Sequence, residues 1–117
     1  MSKTIVKEIG TLVPTFKDDK IVILFGPTAP KELRDFAVIH EVQECVENPL
    51  SVGGTIQFDD ENYTIELVGS EANKNFMELG HISIYFGEPF GEVLPGAVYV
   101  APYQFPTFDE GTVITFK

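Results

Sequence analysis

Thr55-Ile56-Gln57-Phe58-Asp59-Asp60-Glu61-Asn62-Tyr63-Thr64-Ile65-Glu66-Leu67-Val68 decides the fold class. In Tyr63 to Leu67 the apolar side chains fall at every second position, the period of a strand with one buried face. Before them comes the polar insert Asp59-Asp60-Glu61-Asn62, and Asn and Asp tolerate positive φ and bond to nearby backbone. The segment therefore reads as a β-hairpin from Thr55 to Val68. A calcium loop is the other reading of that acidic run, but the run lacks the spacing and the glycine of a twelve-residue calcium loop.

The same kind of run recurs on both sides, between clusters of Gly, Pro, Asp and Asn. Thr4 to Ile9, Ile21 to Phe25, Ala37 to Val42, Ile82 to Phe86, Ala97 to Ala101 and Thr112 to Phe116 bring the strands to about eight, and the pattern is that of an all-β chain. Two short helices interrupt it. Ser70 to Gly80 offers a Ser cap, an acid in the first turn, apolar residues at 72, 76 and 79, and a terminating glycine. Thr28 to Phe36 offers a Thr cap and a proline in the first turn. Phe86 to Pro95, with Gly87 and Gly91 around Pro89, reads as a long loop. No repeat or linker breaks the chain, so residues 1–117 read as one domain, at a length that buries roughly 65% of the unfolded surface.

Composition limits the partners. Eighteen Asp and Glu against eight Lys and Arg give a net charge of −10, a sign that repels a phosphate backbone, so nucleic acid and anionic membranes are disfavoured. The acidic surface suits a small molecule or a basic protein surface. The longest clean apolar run, Ile21-Val22-Ile23-Leu24-Phe25, is far short of the ~18 residues of a membrane helix. A single cysteine and an N-terminal segment with no basic-then-apolar signal point to the cytoplasm.

Few residues are equipped for chemistry. The chain has two histidines, His40 and His81, one cysteine, Cys45, and no tryptophan. No close Cys or His pair begins a zinc site, so neither a metal nor another cofactor is expected. Nucleophile-elbow, phosphate-loop and dinucleotide glycine motifs are missing. A Cys45 thiolate activated by His40 is conceivable, although burial is the usual fate of a free cysteine. Each histidine sits at a junction between a helix or turn and a strand, and a lone histidine there is more often a structural group than a catalytic one.

Three segments carry more. Gly26-Pro27-Thr28-Ala29-Pro30 leads through Phe36-Ala37-Val38-Ile39 to His40; Val68-Gly69-Ser70 is followed by Glu78-Leu79-Gly80-His81; and Leu94-Pro95-Gly96-Ala97-Val98-Tyr99-Val100 comes last. In this order and spacing they resemble the glucitol/sorbitol-specific enzyme IIA component of the bacterial sugar phosphotransferase system, over nearly the whole chain. The resemblance implies a closed or nearly closed β-barrel of about six to eight strands with two short helices. It implies a phosphotransferase component whose His40 takes a phosphoryl group from the phosphocarrier HPr and passes it to a cysteine on the IIB domain of the sugar transporter. His81 is expected beside it as support for the phosphoryl group, and a homodimer is left open. Some members carry a further histidine two residues beyond the motif, where this chain has Val42.

The residue type fits that chemistry, because a neutral imidazole is a good nucleophile near pH 7 and phosphoryl transfer asks the protein mainly for positioning and charge stabilisation. On a strand, Val38, His40 and Val42 share a face and Glu41 points away, so an apolar collar is expected around His40. The alternative function is a non-catalytic β-barrel binding or regulatory module that shares the fold.

Overall fold

A computed structural model describes residues 1–88 and 93–117. Eight strands occur in it: β1 (Ser2–Ile9), β2 (Ile21–Phe25), β3 (Val38–Glu44), β4 (Thr55–Phe58), β5 (Glu61–Val68), β6 (Ile82–Tyr85), β7 (Ala97–Ala101) and β8 (Val113–Phe116). The hairpin read from sequence is β4 and β5, joined by Asp59 and Asp60, with Asp59 at φ 51°. Of the long loop expected over Phe86 to Pro95, residues 89–92 lie outside the described residues.

The strands close into a barrel in the order β1-β3-β2-β6-β7-β5-β4-β8. Closure leaves no free sheet edge among the described residues. Most neighbours are antiparallel, but β2 with β3 and β6 with β7 are parallel. A parallel pair needs a crossover rather than a tight turn, and the β2–β3 crossover contains α1 (Lys31–Arg34). This helix is a single turn whose N-cap is Pro30, so Thr28 does not cap it.

The barrel is filled by one cluster that includes Val6, Leu24, Val38, Ile56, Phe58, Ile65, Ile84, Val98 and Ile114. Aromatic rings pack edge to face within it, Phe58 against Tyr63 at 5.9 Å and Tyr63 against Phe86 at 4.9 Å, as the ring quadrupoles favour. The second helix, α2 (Ala72–Leu79), joins β5 to β6 and sends Ala72 and Phe76 into the same core, so it plugs the barrel. The expected Ser70 cap is replaced by Glu71, which makes no side-chain cap bond; the expected stop at Gly80 is present, in the left-handed conformation. A second, smaller cluster of Phe25, Ala29, Ala37 and Ile39 is formed with the crossover segment. Arg34 holds that segment: its Nε donates to the Ala29 carbonyl at 3.2 Å, its Nη2 to the Pro27 carbonyl, and its Nη1 pairs with Glu8 at 3.0 Å. No helix among the described residues is long and apolar enough to cross a membrane.

Candidate functional site

The site is built where β1, β3 and the end of α2 meet. On β1 the inward positions are Ser2, Thr4 and Val6, alternating as a strand requires. Val6 stands opposite His40 on β3, and Thr4 opposite Val42, with register shifts on either side of them. Such irregularities re-aim side chains. His40 points inward with Val38 and has 0% of its surface exposed, and Thr4 is equally buried.

Both ring nitrogens of His40 are engaged. Nε2 lies 2.6 Å from the Gly80 carbonyl oxygen and Nδ1 lies 2.9 Å from Thr4 Oγ1. A carbonyl can only accept, so Nε2 carries the proton and donates it; Nδ1 then holds the lone pair and accepts from the threonine hydroxyl. Phe76 of α2 meets the ring edge-on at 5.9 Å. Burial pushes the His40 pKa below its ordinary 6.5, against the opposing effect of the bond to Gly80, because an apolar surrounding disfavours the imidazolium. The ring is accordingly neutral at pH 7.

Gly80 makes this arrangement possible. At φ 67° it ends α2, donating its own N–H to the Phe76 carbonyl at 2.8 Å, while the Leu79 carbonyl accepts from Gly26 at 2.9 Å. A Cβ at Gly80 would stand 3.1 Å from Gly26 N and 3.3 Å from His40 Nε2. The backbone thus reaches the imidazole because no side chain intervenes.

His81 is the next residue along, yet its surroundings differ. Its Nδ1 donates to the Leu24 carbonyl at 3.1 Å, and its half-buried ring stacks on Phe25 of the smaller cluster at 4.4 Å. His81 Nε2 has no hydrogen-bond partner among the described residues. Gly80 therefore links the two imidazoles through the backbone, while each packs against a different aromatic residue.

Other expectations read differently in three dimensions. Val42 is 41% exposed and Glu41 is exposed as well, so the apolar collar comes from Val38, Val6 and Phe76 and not from Val42. Cys45 is exposed, its thiol donating to the Val46 carbonyl, and is not among the bonding partners of His40. Thr4 was not singled out by sequence reasoning. Its signal is a hydroxyl at an inward strand position, which needs a polar partner. No three His, Cys, Asp or Glu side chains among the described residues gather as metal ligands would.

A closed eight-stranded barrel plugged by a helix, with a buried imidazole held between a strand hydroxyl and the helix's last carbonyl, defines a small β-barrel domain with one histidine-centred station. A family model described as the glucitol/sorbitol-specific IIA component of the phosphotransferase system matches residues 1–115, and the chain belongs to that family. Glucitol/sorbitol-specific EIIA components of Shigella flexneri and of Escherichia coli K12 are each 29% identical to it over 115 residues, covering 98% of this chain and 93% of theirs. The crystal structure of a phosphotransferase-system IIA component from Enterococcus faecalis V583 superposes with a TM-score of 0.86 at 33% identity, covering 97% of this chain and 98% of that one.

Proposed function

We propose that the protein is the phosphohistidine relay of a sugar-alcohol phosphotransferase system, taking a phosphoryl group from phospho-HPr onto His40 Nε2 and handing it to a cysteine of the cognate IIB domain. The observation that carries this reading is the neutral, doubly bonded imidazole of His40 in a chain of the glucitol/sorbitol IIA family. A neutral ring is the nucleophilic form, and its fixed orientation removes the entropic cost of aligning it for in-line attack.

Nε2 is the nitrogen to be uncovered, because it faces the end of α2 whereas Nδ1 faces the buried wall of β1. In the resting arrangement the Gly80 carbonyl covers it. Transfer then requires the last turn of α2 to withdraw, and that turn is held to the barrel by the Gly26 to Leu79 bond, with Met77 and Leu79 already exposed. Docking of HPr over these apolar side chains, on an acidic surface suited to a basic partner, supplies the occasion. His81 would support the developing charge once that turn has moved only with a proton on its second ring nitrogen as well, because Nδ1–H already serves the Leu24 carbonyl and a neutral ring would turn a lone pair toward the phosphoryl oxygens.

One observation favours a second reading, a non-catalytic barrel module: a histidine with no exposed surface and two satisfied nitrogens is also what a structural histidine looks like. Incubation with phosphoenolpyruvate, enzyme I and HPr separates the two. The relay gains one acid-labile phosphate, located on His40 by fragment mass spectrometry and absent from His40→Gln, a variant that can still donate to Gly80. Phosphate on His81 alone, or none, would overturn the assignment.

A further inference from the structure

Thr4 has no place in the relay described above, yet its hydroxyl touches the reacting ring. Resting on the relay reading, we infer that Thr4 is the positioning residue of His40, its hydroxyl serving both tautomers that the transfer requires. In the resting protein Nε2–H donates to Gly80 and the Thr4 O–H donates to the Nδ1 lone pair.

Attack on phosphorus needs the lone pair on Nε2. Once the end of α2 has withdrawn, Nε2 gives its proton to water, and Nδ1 takes the proton of the Thr4 hydroxyl as that hydroxyl takes one from water, so the ring stays neutral and becomes the Nδ1–H tautomer. The new P–Nε2 bond forms as the bond from phosphorus to the donor breaks, its electron pair leaving with the donor, and the His40 ring ends as Nδ1–H carrying the positive charge. That N–H now points at Thr4 Oγ1, which must accept. A hydroxyl does both by rotating about its C–O bond, whereas a carbonyl accepts only and a backbone amide donates only. Thr4 is fully buried, so no water stands in for its hydroxyl at rest, and its β-branched side chain restricts the rotation that would carry Oγ1 away from the ring.

The test is the pair Thr4→Val, which keeps the shape and deletes the hydroxyl, and Thr4→Ser, which restores it. With phospho-HPr as donor, Thr4→Val should accept phosphate on His40 about 10- to 100-fold more slowly, the usual effect of losing a hydrogen bond to a charged group, and Thr4→Ser should recover most of that rate. In the phosphorylated protein the proton on His40 Nδ1 should exchange with solvent faster in Thr4→Val than in the wild type or Thr4→Ser, a change that a hydroxyl serving only the resting tautomer would not produce. A folded Thr4→Val that transfers at the wild-type rate overturns the inference and leaves the relay standing. In the wild-type protein, independent of any variant's folding, phospho-His40 should show a protonated Nδ1; phosphate on Nδ1 itself overturns the Thr4 role. A wild type that takes no phosphate on His40 overturns both.

Discussion

Replacing Gly80 by alanine isolates the contact on which the site depends. Two costs are worked from the structure. The residue sits at φ 67°, where a side chain costs about 1 kcal/mol. The new Cβ would also stand 3.1 and 3.2 Å from Gly26 N and Cα and 3.3 Å from His40 Nε2, a backbone and a buried ring that are both hydrogen-bonded in place. Relieving that crowding lengthens the 2.6 Å bond to His40 or lifts the end of α2, and overpacking of this kind costs a further 1 kcal/mol or more. Gly53 is the control, since it has φ 88° with nothing within 4 Å of an added Cβ, so Gly53→Ala meets the conformational cost alone. With an unfolding entropy of about 2.1 cal/mol/K per residue, each kcal/mol lowers Tm by about 4 °C in a chain of this length. Gly80→Ala should melt about 8 °C below the wild type and Gly53→Ala about 4 °C below, by calorimetry, each confirmed by urea unfolding. If Gly80→Ala is no worse than Gly53→Ala, the close approach of backbone to imidazole is not real and the account of the site fails.

Stability should fall as pH drops from 7.5 to 5.5. The folded pKa of His40 lies below its unfolded value of 6.5, so below pH 6.5 the unfolded chain binds the proton more readily; stability is full above that value and declines beneath it, by at most about 1.4 kcal/mol per pH unit. Urea titrations of wild type and His40→Gln should show the slope reduced in the variant, and an equal slope in both would contradict the buried neutral ring. Cys45→Ser should change neither stability beyond about 0.5 kcal/mol nor the rate of phosphate acceptance, since the thiol is exposed and, among the described residues, bonded only to its neighbour's carbonyl; a large loss of transfer in a folded variant would restore the thiol to the mechanism.

Period and punctuation are local properties, and they made the strands legible. The alternation in Tyr63 to Leu67, the polar turn at Asp59 and Asp60 and the glycine after Leu79 all express backbone preferences that act within a few residues, and β5, its hairpin and the end of α2 lie where those preferences place them. The resemblance likewise rested on short segments in order, including the one that ends at His40. Strand order is different in kind. The parallel pairing of β2 with β3 and of β6 with β7 is a choice among partners whose backbone hydrogen bonds are chemically alike, settled by which closed arrangement buries all the inward faces at once. Thr4, His40 and Gly80, 36 and 40 residues apart, meet only because of that closure. The same closure turns the His40 ring into the barrel and leaves Val42, two residues on, in solvent, so the strand alternation gave the ring's face while the tertiary structure determined its burial, its tautomer and its pKa.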